Sequence, residues 1–497
     1  MDTSYRFFCS ERHLDKGEFD DIYPTHFFDN SRAFRFVIMT WTLQFNDVLD
    51  AHKLYDSLSR LLEIGDWRKL GGRLRRGKNR KLEIHVPKQF TEERPAVFFS
   101  HDVFAMTLAE HPLASQLPRS TDGPSIQRGA PDFRQFAARP DAPSTLVEFL
   151  NNDIPQLSLH ITSFEDATLV SLSWPHTLMD AMGQQALLRA WSLVLANREA
   201  EVPLLLGARE DVLYDAADPS VELGEDPVFE SRRLKGLGLF WFILRYACDM
   251  LWNRVVEART VYLPKETVNE LRRQAQQDIL DHTTDDNIPW ISDGDVLMAW
   301  MSRIVALSQP SARPATLISA IDVRPHLPAI VKTGGVYVQN MVLGAFTSIS
   351  SQLAIGPIGR IALAHRRALL EQATAPQFLG LLQALRKLWD GGRDTVLLCG
   401  EAGASLFIMS NWTKADFIHT ADFQAAVTRQ GEESHKRSNP LGTMIYHHFQ
   451  PLKLYGTERN VVVLYGKDHG GNYWLTGHLL PRTWTVFREA IENLSTW

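Results

Sequence analysis

The chain has 497 residues, too many for one hydrophobic core, so two domains are expected. Hydrophobic residues make up 44% and charged residues 22%, which is ordinary for a globular protein and argues against long disordered stretches. A formal net charge of −6 gives no electrostatic reason to expect nucleic-acid or anionic-membrane binding.

Residues 34–44 (FRFVIMTWTLQ) read as a β-strand, being rich in aromatic and β-branched side chains. A helix capped by Asn46 or Asp47 follows, with Ala51, Leu54, Tyr55, Leu58, Leu61 and Leu62 on one face. A Gly-rich, basic segment (WRKLGGRLRRGKNRK) leads to a strand around Leu82 to Val86. Residues 116–142, rich in Pro, Arg, Ser and Asp, read as a loop. Residues 167–174 (ATLVSLSW) form a second strong strand, and a helix follows from Asp180 to Ala196. Residues 199–233 have the composition of a connection between domains. Within 237–252 the pattern is apolar but broken by Arg245 and Asp249, too short to span a bilayer. It predicts an amphipathic helix packed on the protein, with membrane contact left open. The second half alternates helix (292–307), strands (315–323 and 405–409), a strand–turn–strand unit near 460–479 and a C-terminal helix from 481.

Cys9, Cys248 and Cys399 lie far apart and fit no metal or redox spacing, which suits reduced thiols in the cytoplasm. Residues 1–21 are full of charge and lack the apolar stretch of a secretory signal.

Of 17 histidines, three begin an H-x-x-x-D pattern: His52–Asp56, His176–Asp180 and His282–Asp286. The pattern alone therefore selects nothing, and context decides. His52 and Asp56 sit a turn apart on the polar side of an amphipathic helix, as a solvated pair would. His282 lies in a polar DHTTDDN turn. His176 ends a buried-looking strand just before a helix, where a side chain is held rigidly yet reaches a cleft, as a general base requires. Asp180 at the helix start can accept from backbone N–H groups, which makes it a loop organiser.

Other patterns carry less. The segment from Gly72 to Lys78 mimics part of a phosphate-binding loop, but Asn79 stands where a Mg²⁺-binding hydroxyl would be. The eight Lys and Arg from Arg68 to Lys81 read as mostly a solvated face. Gly236–Leu–Gly238 lacks the third glycine of a dinucleotide loop, and G-x-S-x-G, H-E-x-x-H and C-x-x-C do not occur. His447 and His448 have no carboxylate or Cys at ligand spacing and read as structural, with no metal site expected.

Several segments line up in order with one family. LYDSLSRLLEIGDWRKLGGRL, SWPHTLMDAMG, SDGDVLMAW, IDVRPHLP…GGVYVQNMV and SNWTKADFIHTADF resemble successive segments of the BAHD acyltransferases, in the superfamily of chloramphenicol acetyltransferase and peptide-synthetase condensation domains. Asp322, Arg324, Gly335 and Asn340 match the D-x-R and Gly–Asn segments. The D-F-G-W-G motif survives only as Asp422–Phe423–Gln424, so the layout looks more like fungal secondary-metabolite members than plant ones.

The resemblance implies an α/β fold with mixed sheets: residues 1–205 and 259–497 as two similar domains, and 206–258 as the crossover. The active site would lie in a channel between the domains. It implies His176 as base, with Ser410 and Trp412 as hydrogen-bond donors to the tetrahedral intermediate. Asp180 would organise the loop, and Arg324 would pair with Asp422 in a structural ion pair. The co-substrate implied is an acyl-CoA, acetyl-CoA foremost, and the acceptor a small molecule with a hydroxyl or amine. No permanently bound cofactor, nucleic acid or integral membrane segment is expected, and a monomer is. Two alternatives remain open: a non-catalytic scaffold that keeps the fold, and transfer from a carrier-protein thioester. Condensation domains usually carry H-H-x-x-x-D-G, whereas Pro175 and Ala181 stand at the flanking positions here.

Overall fold

A computed structural model describes residues 20–77, 81–220, 224–282, 288–328, 330–331, 334–393, 397–431, 437–453 and 458–495. Two large mixed sheets organise it. Their strands, in chain order, are β1 (Ile38–Phe45), β2 (Phe98–Val103), β3 (Ser125–Arg128), β4 (Ser158–Ser163), β5 (Thr168–Pro175), β6 (Glu257–Leu263), β7 (Ala315–Asp322), β8 (Val342–Ile349), β9 (Ser405–Asn411), β10 (Met444–Pro451), β11 (Val461–Lys467) and β12 (Tyr473–Leu479). The helices used below are α1 (Ala51–Leu61), α2 (Ala181–Leu195), α3 (Gly236–Trp252), α4 (Lys265–His282), α5 (Asp293–Leu307), α6 (Ile358–Gln372) and α7 (Pro481–Ser495).

The first sheet has the order β10-β1-β5-β4-β2, and the second β8-β7-β9-β11-β12-β6-β3. The sheets trade strands between the halves of the chain. β3 precedes residue 205 yet edges the second sheet, and β10 follows residue 259 yet edges the first. The partition at 205 and 259 thus separates stretches of chain, not sheets.

Every residue of β1 is buried, because the strand is covered on both faces. Trp41 lies between Leu172 of β5 and Phe449 of β10. On the opposite face Thr40 and Ser171 donate to the carbonyls of Ala137 and Phe136. The first core gathers Trp41, Trp67, Trp174 and Trp191. The second gathers Trp300 of α5, Ile361 of α6, and Trp484 and Phe487 of α7.

Local boundaries depart from the sequence reading in instructive ways. Residues 32–35 form a short helix, so β1 starts at Ile38. The cap of α1 is Asp50, whose carboxylate accepts from Lys53 N, because Asp47–Leu49 is itself a short strand paired with Val427–Gln430. The 116–142 segment holds β3 and two short helices. Lys69 and Arg73 are buried: Lys69 Nζ donates to the Ala208 carbonyl at 3.0 Å, and Arg73 donates to the carbonyls of Gly71 and Pro95. Burial lowers the Lys69 ammonium to about 8. That basic run is therefore partly internal scaffolding, while residues 78–80 lie outside the described chain.

Candidate active site

His176 is the first residue past β5, in the turn that leads to α2. Both of its backbone polar groups are pinned: its N–H donates to the Val37 carbonyl at 2.8 Å, and its carbonyl accepts from Asn340 Nδ2 at 2.8 Å. The ring lies 4.7 Å from that of Phe34. His176 Nδ1 is buried and has no well-formed hydrogen-bond partner among the described residues. Burial lowers the imidazole pKa below its ordinary value, outweighing the opposing pull of its own carbonyl, Asp180 and Asp29. Burial thus favours the neutral form of the ring.

Asp180 caps α2, with Oδ1 accepting from Gly183 N at 2.9 Å. Its carboxylate also accepts from Arg324 Nη1 and Nη2 at 3.0 and 2.9 Å, and from Met341 N at 2.8 Å. Arg324 donates further to Asp322 at 2.8 Å and to the Gln339 carbonyl at 2.7 Å. Burial pulls down the guanidinium pKa, but Asp180 and Asp322 more than offset it, so Arg324 is held above its usual value. The result is a two-pronged bridge between the α2 turn and the segment after β7.

This overturns the expected pairing of Arg324 with Asp422. Asp422 is exposed near the far end of α2, its N–H donating to Ser192 Oγ and its carboxylate accepting from Gln424 N. Asp180 takes the guanidinium because its buried carboxylate would otherwise lack a counter-charge, whereas that of Asp422 is solvated.

A second layer escaped the sequence reading. Asp29 Oδ1 accepts from both the backbone and side-chain nitrogens of Asn340, at 2.9 and 2.7 Å, and its other oxygen lies 3.1 Å from His26 Nδ1. Asp29 thus fixes the amide that holds the His176 carbonyl. The HFFDN run around it offered only a short polar interruption as a signal. Gly335 is required nearby, since a Cβ there would lie 2.5 Å from Leu206 Cγ.

Ser410 lies inside β9, and Trp412 just beyond its end. The Trp412 indole N–H donates to Ser410 Oγ at 2.8 Å. That N–H is therefore spent on Ser410, and the Ser410 hydroxyl proton is the donor left to point elsewhere. Trp412 reaches toward β5 through Phe449, whose ring meets that of Trp412 edge-on at 4.9 Å and lies tilted 6.0 Å from that of Trp174.

The competing histidines lie apart. His52 is exposed on α1, 5.6 Å from the Phe99 ring. His282 ends α4, and Asp286 lies outside the described residues. His447 and His448 are buried in β10; Nδ1 of His447 accepts from Trp41 Nε1 at 3.1 Å, and burial lowers the two to about 3 and about 4. Among the described residues, no group of three or more His, Cys, Asp or Glu is placed to hold a metal ion.

The chain matches known proteins along most of its length. Residues 132–425 match the Transferase family profile. The chain is 38% identical over 487 residues to O-acetyltransferase PaAT-2 of Phomopsis amygdali, covering 96% of this chain and 98% of that one. It is 37% identical to acetyltransferase pyiB of Pyricularia grisea, covering 96% and 94%. The solved structure of Fusarium sporotrichioides TRI101 with coenzyme A and T-2 superposes with a TM-score of 0.66 at 16% identity, covering 96% of this chain and 99% of that one. The chain belongs to the Transferase family and is an acyltransferase of the fungal BAHD type with the two-domain fold.

Proposed function

We propose that this acyltransferase moves an acetyl group from acetyl-CoA to a hydroxyl of a small secondary-metabolite acceptor, with His176 as general base. The observation that carries the reading is the strand-end His176, its backbone clamped by Val37 and Asn340 beside the Asp180–Arg324 bridge, in a buried setting that lowers its pKa and so favours the neutral imidazole a base needs. The names of the relatives, an O-acetyltransferase and an acetyltransferase, favour acetyl transfer. The coenzyme A and T-2 bound to TRI101 favour a CoA thioester and a small-molecule acceptor.

The chemistry asks little of the protein, because a thioester is already activated. His176 takes the acceptor proton as the acceptor oxygen attacks the thioester carbonyl. The oxyanion accepts a hydrogen bond from the Ser410 hydroxyl, which the Trp412 N–H orients. Collapse breaks the C–S bond, and the departing coenzyme A thiolate takes the proton back from His176. Asp180 and Arg324 position the turn and take no part in proton transfer. The reaction centre lies in a channel between the 1–205 and 259–497 halves, with the thioester and acceptor entering from opposite ends. The enzyme works in the cytoplasm as a monomer.

The test is release of free coenzyme A thiol from acetyl-CoA, with mass detection of product, over a panel of hydroxylated acceptors and their amine analogues. Acceptor-dependent thiol release that the amines do not support is the expected result. A folded preparation releasing no thiol with any acceptor, yet consuming a carrier-protein thioester, would overturn the CoA reading.

A further inference from the structure

The helix α3 is turned inside out relative to an ordinary surface helix. Leu237, Phe240, Trp241, Leu244, Leu251 and Trp252 are 42–81% exposed, and they recur at the three- and four-residue spacing of a single helix face. Of its 17 residues only Phe242 is buried. The charged residues point the other way. Arg245 donates to the carbonyls of Ala402 and Ala404, and Asp249 accepts from Arg459, which also donates to the Asn253 carbonyl. Polar groups therefore fasten the helix to the body, and its apolar stripe faces outward.

The charge around that stripe is opposite in sign to the chain as a whole. Residues 230–257 contain five basic side chains and three acidic; Asp249 is bound to Arg459 and Glu230 to Arg233 and Lys235, so the stretch is net positive whereas the chain carries −6. Arg232 and Lys235 precede the helix and Arg254 follows it, all exposed; Lys235 also meets Glu230. Two exposed tryptophans in an apolar stripe, with cations at both ends of the helix, match the chemistry of a bilayer interface, where indoles sit at headgroup depth and cations meet anionic lipid. A second copy fits less well. Antiparallel pairing of two such helices would set Arg232 and Lys235 of one against Arg254 of the other. No helix among the described residues is long and apolar enough to cross a membrane.

We propose that α3 is an interfacial anchor that lays its Leu237–Trp252 face into an anionic phospholipid surface. The helix lies across the starts of the parallel strands β7, β9 and β11, through Ala404 before β9 and Arg459 before β11. Ser410 is near the opposite end of β9, roughly 20 Å away at about 3.3 Å per residue. A bilayer under α3 thus leaves the reaction centre uncovered. The acidic chain as a whole gave no reason to expect this; the local reversal of charge does.

The test uses the full-length protein in flotation with vesicles of pure phosphatidylcholine and vesicles in which one-third is phosphatidylserine. The expected result is binding that is stronger to the phosphatidylserine vesicles, with a blue shift of tryptophan emission. Trp241→Glu should weaken binding at least roughly tenfold, and Arg232→Glu with Arg254→Glu should remove the preference for phosphatidylserine. Thiol release with a water-soluble acceptor should match wild type in both variants, which separates this outcome from failure of the catalytic reading. Absence of flotation with either vesicle, or flotation unchanged by Trp241→Glu, would overturn the proposal. So would a dimer by light scattering that Trp241→Glu splits, since the face would then belong to a second copy.

Discussion

The helices α2 and α3 are close in length, and both are dominated by apolar residues, yet the protein uses them in opposite ways. α2 buries ten of its fifteen residues, among them Leu187, Leu188 and Trp191. α3 buries Phe242 alone. Where each helix keeps its charge accounts for the difference. The carboxylate of α2 sits at its cap, where Asp180 reaches into the site and binds Arg324, Gly183 and Met341. Its one internal charge, Arg189, is on the exposed side, so the remaining flanks of α2 are free to be apolar and to fill the first core. In α3 the charges are mid-helix, one turn apart, and are consumed by backbone carbonyls and Arg459 on the protein side. Only the outer side remains for the apolar residues. Composition thus sets how much apolar surface a helix carries, and the position of its few charges sets which way that surface faces.

The largest effect should come at the turn that feeds α2. His176→Ala removes the base and should lower turnover by roughly 10²–10⁴ with the fold intact. The pH profile sharpens this. The base works only when deprotonated, so activity should be full above the His176 pKa and fall as pH drops through it. Burial lowers that pKa, so the acid limb of kcat/KM should lie below the ordinary imidazole value of about 6.5. A limb at or above pH 7 would place the base elsewhere.

Next in size is the bridge at the start of α2. Asp180→Ala leaves the largely buried guanidinium of Arg324 with Asp322 as its remaining carboxylate, removes the α2 cap, and should cost roughly 3–5 kcal/mol, measured by denaturant unfolding; Arg324→Ala strands the buried carboxylate of Asp180. Asp180→Ala combined with Arg324→Ala should cost less than the two singles added, because the stranded charge is gone. Additive losses would mean that the bridge holds nothing together.

Core against surface gives a third contrast. Leu187→Ala in α2 should cost roughly 2–5 kcal/mol, as expected for a fully buried leucine. Leu237→Ala in α3, 78% exposed, should change stability by less than about 0.5 kcal/mol in the absence of lipid. Equal losses at the two positions would show that α3 is packed on the protein in solution after all.

Much of this was legible in the sequence, for reasons that are local. β1, β5 and α2 announce themselves by period and composition, and His176 stands out by its place at the end of β5. The rest depends on groups that meet only in the folded chain. Asn340 and Asp29 are 311 positions apart, and neither has a spacing that names the other. Arg324 had more than one carboxylate to choose from in the sequence, and only the fold shows Asp180 buried beside it and Asp422 exposed at the other end of α2. In Trp412 the residue type showed a donor, but its acceptor, Ser410, is set by the geometry beyond β9. For α3, Arg245 and Asp249 could be placed on one face by their spacing. Whether that face met the protein or water could not, since a helical period is the same in either orientation.

The smallest effect belongs to the other aspartate beside α2. Asp422 sits against the C-terminal end of the helix, exposed, with its N–H on Ser192 Oγ and its carboxylate on Gln424 N. No guanidinium is held by it, so its removal leaves no buried charge behind. A negative charge near a helix C-terminus is mildly unfavourable, and losing it returns a few tenths of a kcal/mol. The local turn to Gln424 loses one side-chain acceptor, which costs a similar amount at a solvated position. These terms oppose each other, so Asp422→Ala should shift unfolding free energy by less than about 0.5 kcal/mol and leave turnover at wild type. Asp180→Ala, at the opposite end of the same helix, should differ from it by several kcal/mol. A collapse of Asp422→Ala comparable to that of Asp180→Ala would mean that Asp422 carries a buried partner in solution, and would restore the ion pair with Arg324 that the structure replaces.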